Sequence, residues 1–344
     1  MFDAVLIVSF GGPRGPAEIR PFLANVLRGR RVLPERVEAV AQHYEAFGGV
    51  SPITELTMRQ AEGLRHRLAA ASHPLPVYVG MRNWHPLLAD TLREMSTAGV
   101  RRAIGFIAAA QHSYSSCGQY RQNVADARGV LRAEGGPDVR ITYVESWFDH
   151  PLFIDTNAAH VQDALEQLPA HTRDAARLIF TAHSIPQAMA DESLYREQLE
   201  SSARLVAARV QRADFAVVYQ SRSGRPEDPW LEPDICEYLR TEKPRGLQAA
   251  VLCPIGFVCD HIEVLWDLDQ EAAAVCRTLD IPMTRAAAPN DDPRFVEMMA
   301  DVVVRTITRY ARGTPLELAG TGLQRPSSST NRVSRSGSTS AGPG

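Results

Sequence analysis

Short apolar runs alternate along the chain with longer stretches in which apolar residues recur every three or four positions. Ala4–Phe10, Val77–Met81, Ala103–Ala110 and Arg140–Tyr143 form a first series of runs; Arg177–Ala182, Phe215–Gln220, Gln248–Pro254 and Met283–Ala286 form a second. Runs this short that are largely apolar, rather than alternating, suit strands covered on both faces. Helical spacing lies between them, as in Met58–Ala70, Leu87–Ala98, Phe153–Leu168, Leu194–Arg212 and Phe295–Tyr310. Strands alternating with helices predict an α/β fold with mainly parallel sheets and helices on both faces. Four strands before about residue 150 and four after it predict two similar βα halves, 1–150 and 151–313.

Two stretches break the rhythm. Gly11–Ser72 places about 60 residues between the first two strands, too long for a plain crossover, and long insertions in compact domains are usually functional. From Thr314 the composition turns to Ser, Arg, Gly and Pro. Residues 314–344 cannot bury enough apolar surface to offset chain entropy and are expected to be disordered, outside the chemistry.

Composition narrows the function. In a chain of 344 residues, 44% hydrophobic and 22% charged content excludes a mainly disordered or fibrous protein. A net charge of −3 gives no reason to expect a nucleic-acid backbone or an anionic membrane as partner. Five cysteines, an odd number without a C-x-x-C pair, fit a reducing compartment better than a disulfide scaffold or zinc ribbon. The opening Met1-Phe2-Asp3 has no basic cluster, and no segment approaches the uninterrupted apolar length of a membrane span. The expectation is a cytoplasmic, soluble protein.

Three places carry candidate chemistry. His183, in Thr181-Ala182-His183-Ser184-Ile185-Pro186, follows an apolar strand, where α/β folds place ligands. It suits proton transfer or metal binding near neutral pH, although bonding to a loop carbonyl explains it as simply. Asp260 and Glu263 have the spacing of a helix-capping box, and Glu263, Asp267 and Glu271 follow at i, i+4 and i+8. On one helical face they form a row of hard oxygen ligands that a divalent cation could follow. A solvated acidic face is the alternative, but Ile262, Val264, Leu265, Trp266 and Leu268 make most of this helix apolar, and buried carboxylates need partners. The insertion carries Arg28-Gly29-Arg30-Arg31 and then His43 to Pro52, where arginines, hydroxyls and aromatics suit a flat anionic ligand or simply a surface loop. The glycine turn Gly11-Gly12-Pro13 matches no nucleotide fingerprint.

Taken together, HYEAFGGVSP (His43–Pro52), SYSSCGQYR (Ser113–Arg121), Glu145-Ser146-Trp147, TAHSIP (Thr181–Pro186), Asp228-Pro229-Trp230 and GFVCDHIE (Gly256–Glu263) resemble the ferrochelatases, in the same order from about residue 4 to 312. The set is most similar to bacterial coproporphyrin-type members of the actinobacterial kind. The resemblance implies two Rossmann-like, chelatase-type domains with a porphyrin cleft between them. It implies that His183 and Glu263 are catalytic, and that Asp267 and Glu271 extend a path for metal or protons. It also implies that Tyr44, Ser51 and Tyr120 face the porphyrin. The implied reaction is insertion of Fe²⁺ into coproporphyrin III in haem b biosynthesis, with hand-over to the downstream haem-synthesis enzyme. Protoporphyrin IX as substrate, a non-catalytic porphyrin or haem carrier, and a smaller cobalt chelatase are the alternatives.

Two departures from the family pattern matter. Phe10 stands where many members have a tyrosine that ligates iron, and Tyr44 is the candidate to replace it. Some relatives hold a [2Fe–2S] cluster on four cysteines, often three near the C-terminus. Here no cysteine follows Cys276, so that pattern is absent. Cys117 matches one ligand position, and an internal set drawn from Cys236, Cys253, Cys259 and Cys276 stays open as the alternative. The expectation is no cofactor beyond substrate iron.

Overall fold

A computed structural model describes residues 2–29, 32–224, 227–311 and 313. β1 (Ala4–Ser9) is apolar in all but its last residue and buried along its whole length, as a strand covered on both faces must be. It pairs in parallel with β2 (Val77–Met81) on one side and β3 (Arg102–Ile107) on the other. β4 (Arg140–Tyr143) completes the order β2-β1-β3-β4. The second half repeats the plan. β5 (Ala176–His183), β6 (Phe215–Gln220), β7 (Ala249–Cys253) and β8 (Met283–Arg285) form a parallel sheet in the order β6-β5-β7-β8. All eight predicted strands are present. The third stops at Ile107, short of the predicted Ala110, because the Ala109 N–H turns back to the Ile107 carbonyl.

In each sheet the chain leaves its first strand toward one neighbour and later returns on the other side. The crevice outside the carboxyl ends at such a reversal is where open α/β sheets bind ligands. β1 and β5 hold that position.

Helices cover the sheets. α1 (Ile19–Val26), α2 (Pro34–Ala46) and α3 (Ile53–Ala70) lie between β1 and β2. α3 is the crossover packed on β2, so the excursion proper is residues 11–52. α4 (Leu88–Thr97) and α5 (Gln119–Ala133) pack on each other, and α6 (Pro151–Gln167) leads into the second half. There follow α7 (Gln187–Asp191), α8 (Tyr195–Arg209) and α9 (Ile235–Glu242). α10 (Ile262–Val264) runs through a π-helical stretch, Leu265–Ala272, into α11 (Ala273–Thr278), and α12 (Pro293–Arg309) ends the described fold.

The largest core belongs to both halves. It joins Val5, Ile7, Ile104 and Phe106 of the first sheet to Leu178, Phe180 and Val251 of the second. α12 packs against α3 and β3 of the first half as well as α6 of the second. Trp147 stacks on Phe106 at 5.3 Å and meets Phe153 and Phe295 edge-on at 5.3 and 5.9 Å. No described helix is long and apolar enough to cross a membrane. The segment 314–344, Arg30 and Arg31 lie outside the described residues.

Candidate active site

His183 is the last residue of β5, and the loop after it is braced. The Ser184 N–H donates to the Gln220 carbonyl at 2.8 Å, and its hydroxyl donates to the Leu231 carbonyl at 2.8 Å. The Tyr195 hydroxyl donates to the His183 carbonyl at 3.0 Å. The ring is held as well, since Nδ1 hydrogen-bonds the Ser184 carbonyl. A carbonyl can only accept, so Nδ1 carries the proton and Nε2 keeps its lone pair in the neutral ring.

Glu263 reaches His183 because the loop after β7 lies directly on the end of β5. A Cβ at Gly256 would stand 2.5 Å from the Ala182 Cβ, an approach only glycine permits. The His183 Nε2 lies 3.8 Å from Glu263 Oε2, and His261 Nε2 approaches the same oxygen at 3.6 Å. His261 is extended (φ −154°, ψ 175°) and immediately precedes α10, whose second residue is Glu263. Burial opposes the Glu263 charge, but the neighbouring His261 and His183 imidazoles outweigh it and hold the carboxyl at about 2. The side chain nevertheless keeps 38% of its surface exposed, so the anion is within reach of solvent.

The next carboxylate has the opposite character. Asp267 accepts a very short hydrogen bond from the Ser221 hydroxyl and one of 3.2 Å from the Gln220 amide. Burial pushes its carboxyl up to about 7; the charges of Glu263 and Glu271 add to this, and Ser221 and Gln220 oppose it. Ser221, just past β6, adopts the left-handed conformation (φ 60°) that non-glycine residues seldom take. Glu271 is exposed and accepts from the Trp266 indole N–H at 2.9 Å.

That last bond corrects the expectation of an α-helical row. Trp266 and Glu271 are five apart, a spacing that brings side chains together in a π-helix, and the backbone from Leu265 to Ala272 is π-helical. The row still runs outward, from Glu263 through Asp267 to Glu271 at the surface. Trp266 also stacks on His43 of α2, with ring centroids 3.9 Å apart and planes 10° from parallel. The first half's excursion thus closes over the outer end of the row. Among the described residues no three His, Cys, Asp or Glu side chains are gathered where they could hold a metal ion together. His183 and Glu263 form a pair, while Asp267 and Glu271 face other partners.

Tyr44 and Tyr120 are buried near enough to Glu263 for its charge to reach them. Burial first, then Glu263, raises the Tyr44 phenol far above its ordinary range, so it remains a neutral hydrogen-bond donor. Arg82 lies over the Tyr120 ring at 4.6 Å and over Phe10 at 5.7 Å, and donates to Asn123 at 2.7 Å. Phe10 packs edge-on against Phe22, which in turn packs on Tyr44. Ser51 is seated instead against the turn after β1, its N–H donating to the Pro13 carbonyl at 2.8 Å. Arg28 is exposed and donates to Asn25. All five cysteines are free thiols. Sequence reasoning gave no role to His261, Gln220 or Ser221. The first stands immediately before α10, two residues from Glu263, while Gln220 ends β6 beside β5 and Ser221 follows it, which are the signals that mark them.

Residues 2–307 match the Ferrochelatase family model. The chain belongs to the ferrochelatase family. Among ferrochelatases, it is 46% identical over 311 residues to the coproporphyrin III ferrochelatase of Mycobacteroides abscessus, covering 89% of each chain. It is 48% identical over 306 residues to that of Mycobacterium avium, covering 88% of this chain and 87% of the relative. Against that of Nocardia farcinica, identity is 46% over 310 residues, with 88% and 87% covered. The sirohydrochlorin chelatase SirB from Bacillus subtilis subspecies spizizenii, solved with cobalt, shares the fold at a TM-score of 0.55. That likeness covers 90% of this chain and 97% of SirB at 11% identity, and marks the ferrochelatase as a chelatase-type α/β protein.

Proposed function

We propose that this ferrochelatase inserts Fe²⁺ into coproporphyrin III, as a cytoplasmic step of haem b synthesis whose product passes to the downstream enzyme. The observation that carries the reading is the His183–Glu263 pair, 3.8 Å apart at the head of an outward-running carboxylate row. Iron and porphyrin are both substrates here, and no resident cofactor is invoked.

Insertion removes two pyrrole protons and puts one ferrous ion in their place. A flat ring holds those N–H groups in its own plane, so a site that fits a bent ring favours the transition state. The free His183 Nε2 accepts one proton, releases it toward solvent, and then accepts the second. The resulting imidazolium is stabilised by the Glu263 anion, by between about 1 kcal/mol in water-like screening and about 4 kcal/mol at an effective dielectric near 20. Asp267, titrating at about 7, passes protons outward near neutral pH, and Glu271 meets solvent. Tyr44, Ser51 and Tyr120 hold the porphyrin, with Tyr44 donating as a neutral phenol. A carrier needs a cleft and an axial ligand but no such row, which favours the enzyme.

The deciding experiment is an anaerobic assay with Fe²⁺ and each porphyrin separately, followed by absorbance. Turnover of coproporphyrin III, with protoporphyrin IX much slower, is the expected result. Faster turnover of protoporphyrin IX overturns the substrate, and none with either leaves a carrier. His183→Ala and Glu263→Gln should each retain porphyrin binding and lose about a hundredfold or more in kcat, the usual scale of general-base catalysis. Turnover like that of the unsubstituted protein in His183→Ala removes this residue from the mechanism.

A further inference from the structure

The segment bearing His261, Glu263 and Asp267 is pinned at both ends by a side chain the reaction itself does not use. Arg285, the last residue of β8, donates from Nε and one terminal nitrogen to the two oxygens of Asp269, at 2.7 and 3.0 Å. Its other terminal nitrogen donates to Asp260 Oδ1 at 2.9 Å. Asp260 immediately precedes His261, and Asp269 stands in the π-helical stretch between Asp267 and Glu271.

The clasp is itself anchored. Asn290 donates from its side-chain amide to Asp260 Oδ2 at 2.8 Å and accepts from the Asp260 N–H at 2.8 Å. The Asn290 N–H donates to the Val258 carbonyl at 2.9 Å, and its own carbonyl accepts from Gln60 of α3 at 2.6 Å. The Gln60 amide also reaches the Cys259 sulfur at 3.1 Å. A chain of bonds therefore runs from the first half, through the loop before Glu263, to the row. Arg285 and Asp260 are only 15% and 16% exposed, so these bonds are little diluted by water.

A π-helical stretch is rare and is held by its surroundings rather than by its own preference. A guanidinium is suited to that task, because its planar fork fixes the angle of a carboxylate as well as its distance. We propose that Arg285 is a positioning residue for metal insertion, aligning the row from Glu263 to Glu271 by clasping Asp260 to Asp269. This rests on the iron-insertion reading above. Lysine retains the charge but not the fork, and so separates alignment from electrostatics.

The test compares Arg285→Lys, Asp269→Asn and the double variant by thermal midpoint, by iron-free porphyrin titration and by kcat and KM for Fe²⁺. Expected are full porphyrin site occupancy and porphyrin Kd within about twofold, with kcat/KM for iron reduced about tenfold or more, since small misplacements carry such factors. The double variant should be no worse than the poorer single, because both remove the same fork. Unchanged kcat/KM for iron in both singles overturns the proposal. So does a loss matched by an equal loss of porphyrin-binding sites, which is what mere unfolding gives. Should Arg285→Lys fail to fold, Asp269→Asn, whose carboxylate is one-third exposed, carries the same comparison. A native protein inactive with every porphyrin overturns the functional reading first, and this inference with it.

Discussion

Asp267 shows how one residue's surroundings set its task. Burial, with Glu263 and Glu271 on either side, lifts its carboxyl from 3.8 to about 7. The folded protein therefore keeps a proton that the unfolded chain has already released. Its contribution to stability is fully present at low pH and is lost as pH rises from about 4 to about 7. Asp267→Asn should accordingly raise the thermal midpoint at pH 8 and leave it nearly unchanged at pH 4, as calorimetry would record. In turnover the same variant should chiefly raise the KM for iron. A loss of kcat as severe as that of Glu263→Gln would mean that the row is not graded. At this scale the sequence was informative where position alone carries the chemistry. His183 ends an apolar strand, and Glu263 follows another. It was mute about Ser221 and Gln220, because a polar residue ending a strand and another just past it announce nothing until the neighbouring strand is known.

Among elements, the central strands β1 and β7 are legible because burial on both faces demands continuous apolarity, and the shorter, half-buried β4 and β8 follow from their place in the alternation with helices. The π-helical stretch is not, since an i, i+4, i+8 row fits α and π spacing alike. The wider turn stands out only once the Trp266–Glu271 bond and the Arg285 fork are seen. Helices α1 and α2 are similarly hidden in the excursion. Their apolar side chains, among them Phe22 and Tyr44, pack with Trp84 and Ile262 from distant parts of the chain. α12 illustrates a more local rule. Asp292 caps it, accepting from the Arg294 N–H at 2.8 Å and from the Arg294 guanidinium, which together hold its carboxyl at about 2 against the cost of burial. A lowered carboxyl stabilises above its ordinary pKa of 3.8 and loses that contribution as pH falls through about 2. Asp292→Ala should cost about 1–2 kcal/mol in urea unfolding at pH 6, the usual cost of a lost helix cap. The difference should shrink between pH 4 and pH 2. A difference that persists undiminished at pH 2 would refute the assignment.

At the scale of the whole molecule, apolar periodicity reveals how many strands each half has and which faces they bury, but not what covers them. That α12 reaches back to α3 and β3 could not be read from its own pattern, which is satisfied by any apolar surface. The shared core predicts a single cooperative unfolding transition for both sheets. Trp147, 3% exposed and lodged between Phe106 of one half and Phe153 and Phe295 of the other, is its keystone. Trp147→Ala should lower stability by about 3–5 kcal/mol in denaturant while the transition remains single. Two resolved transitions in the unsubstituted protein would contradict the shared core. The repeated strand order has another consequence. β1 and β5 occupy matching places, yet one is followed by the hydrocarbon ring of Phe10 and the other ends in the imidazole of His183. The near-symmetric scaffold thus sets unlike chemistry at its two equivalent strand ends, an oil at one and a base at the other, so the halves are not interchangeable despite their common plan.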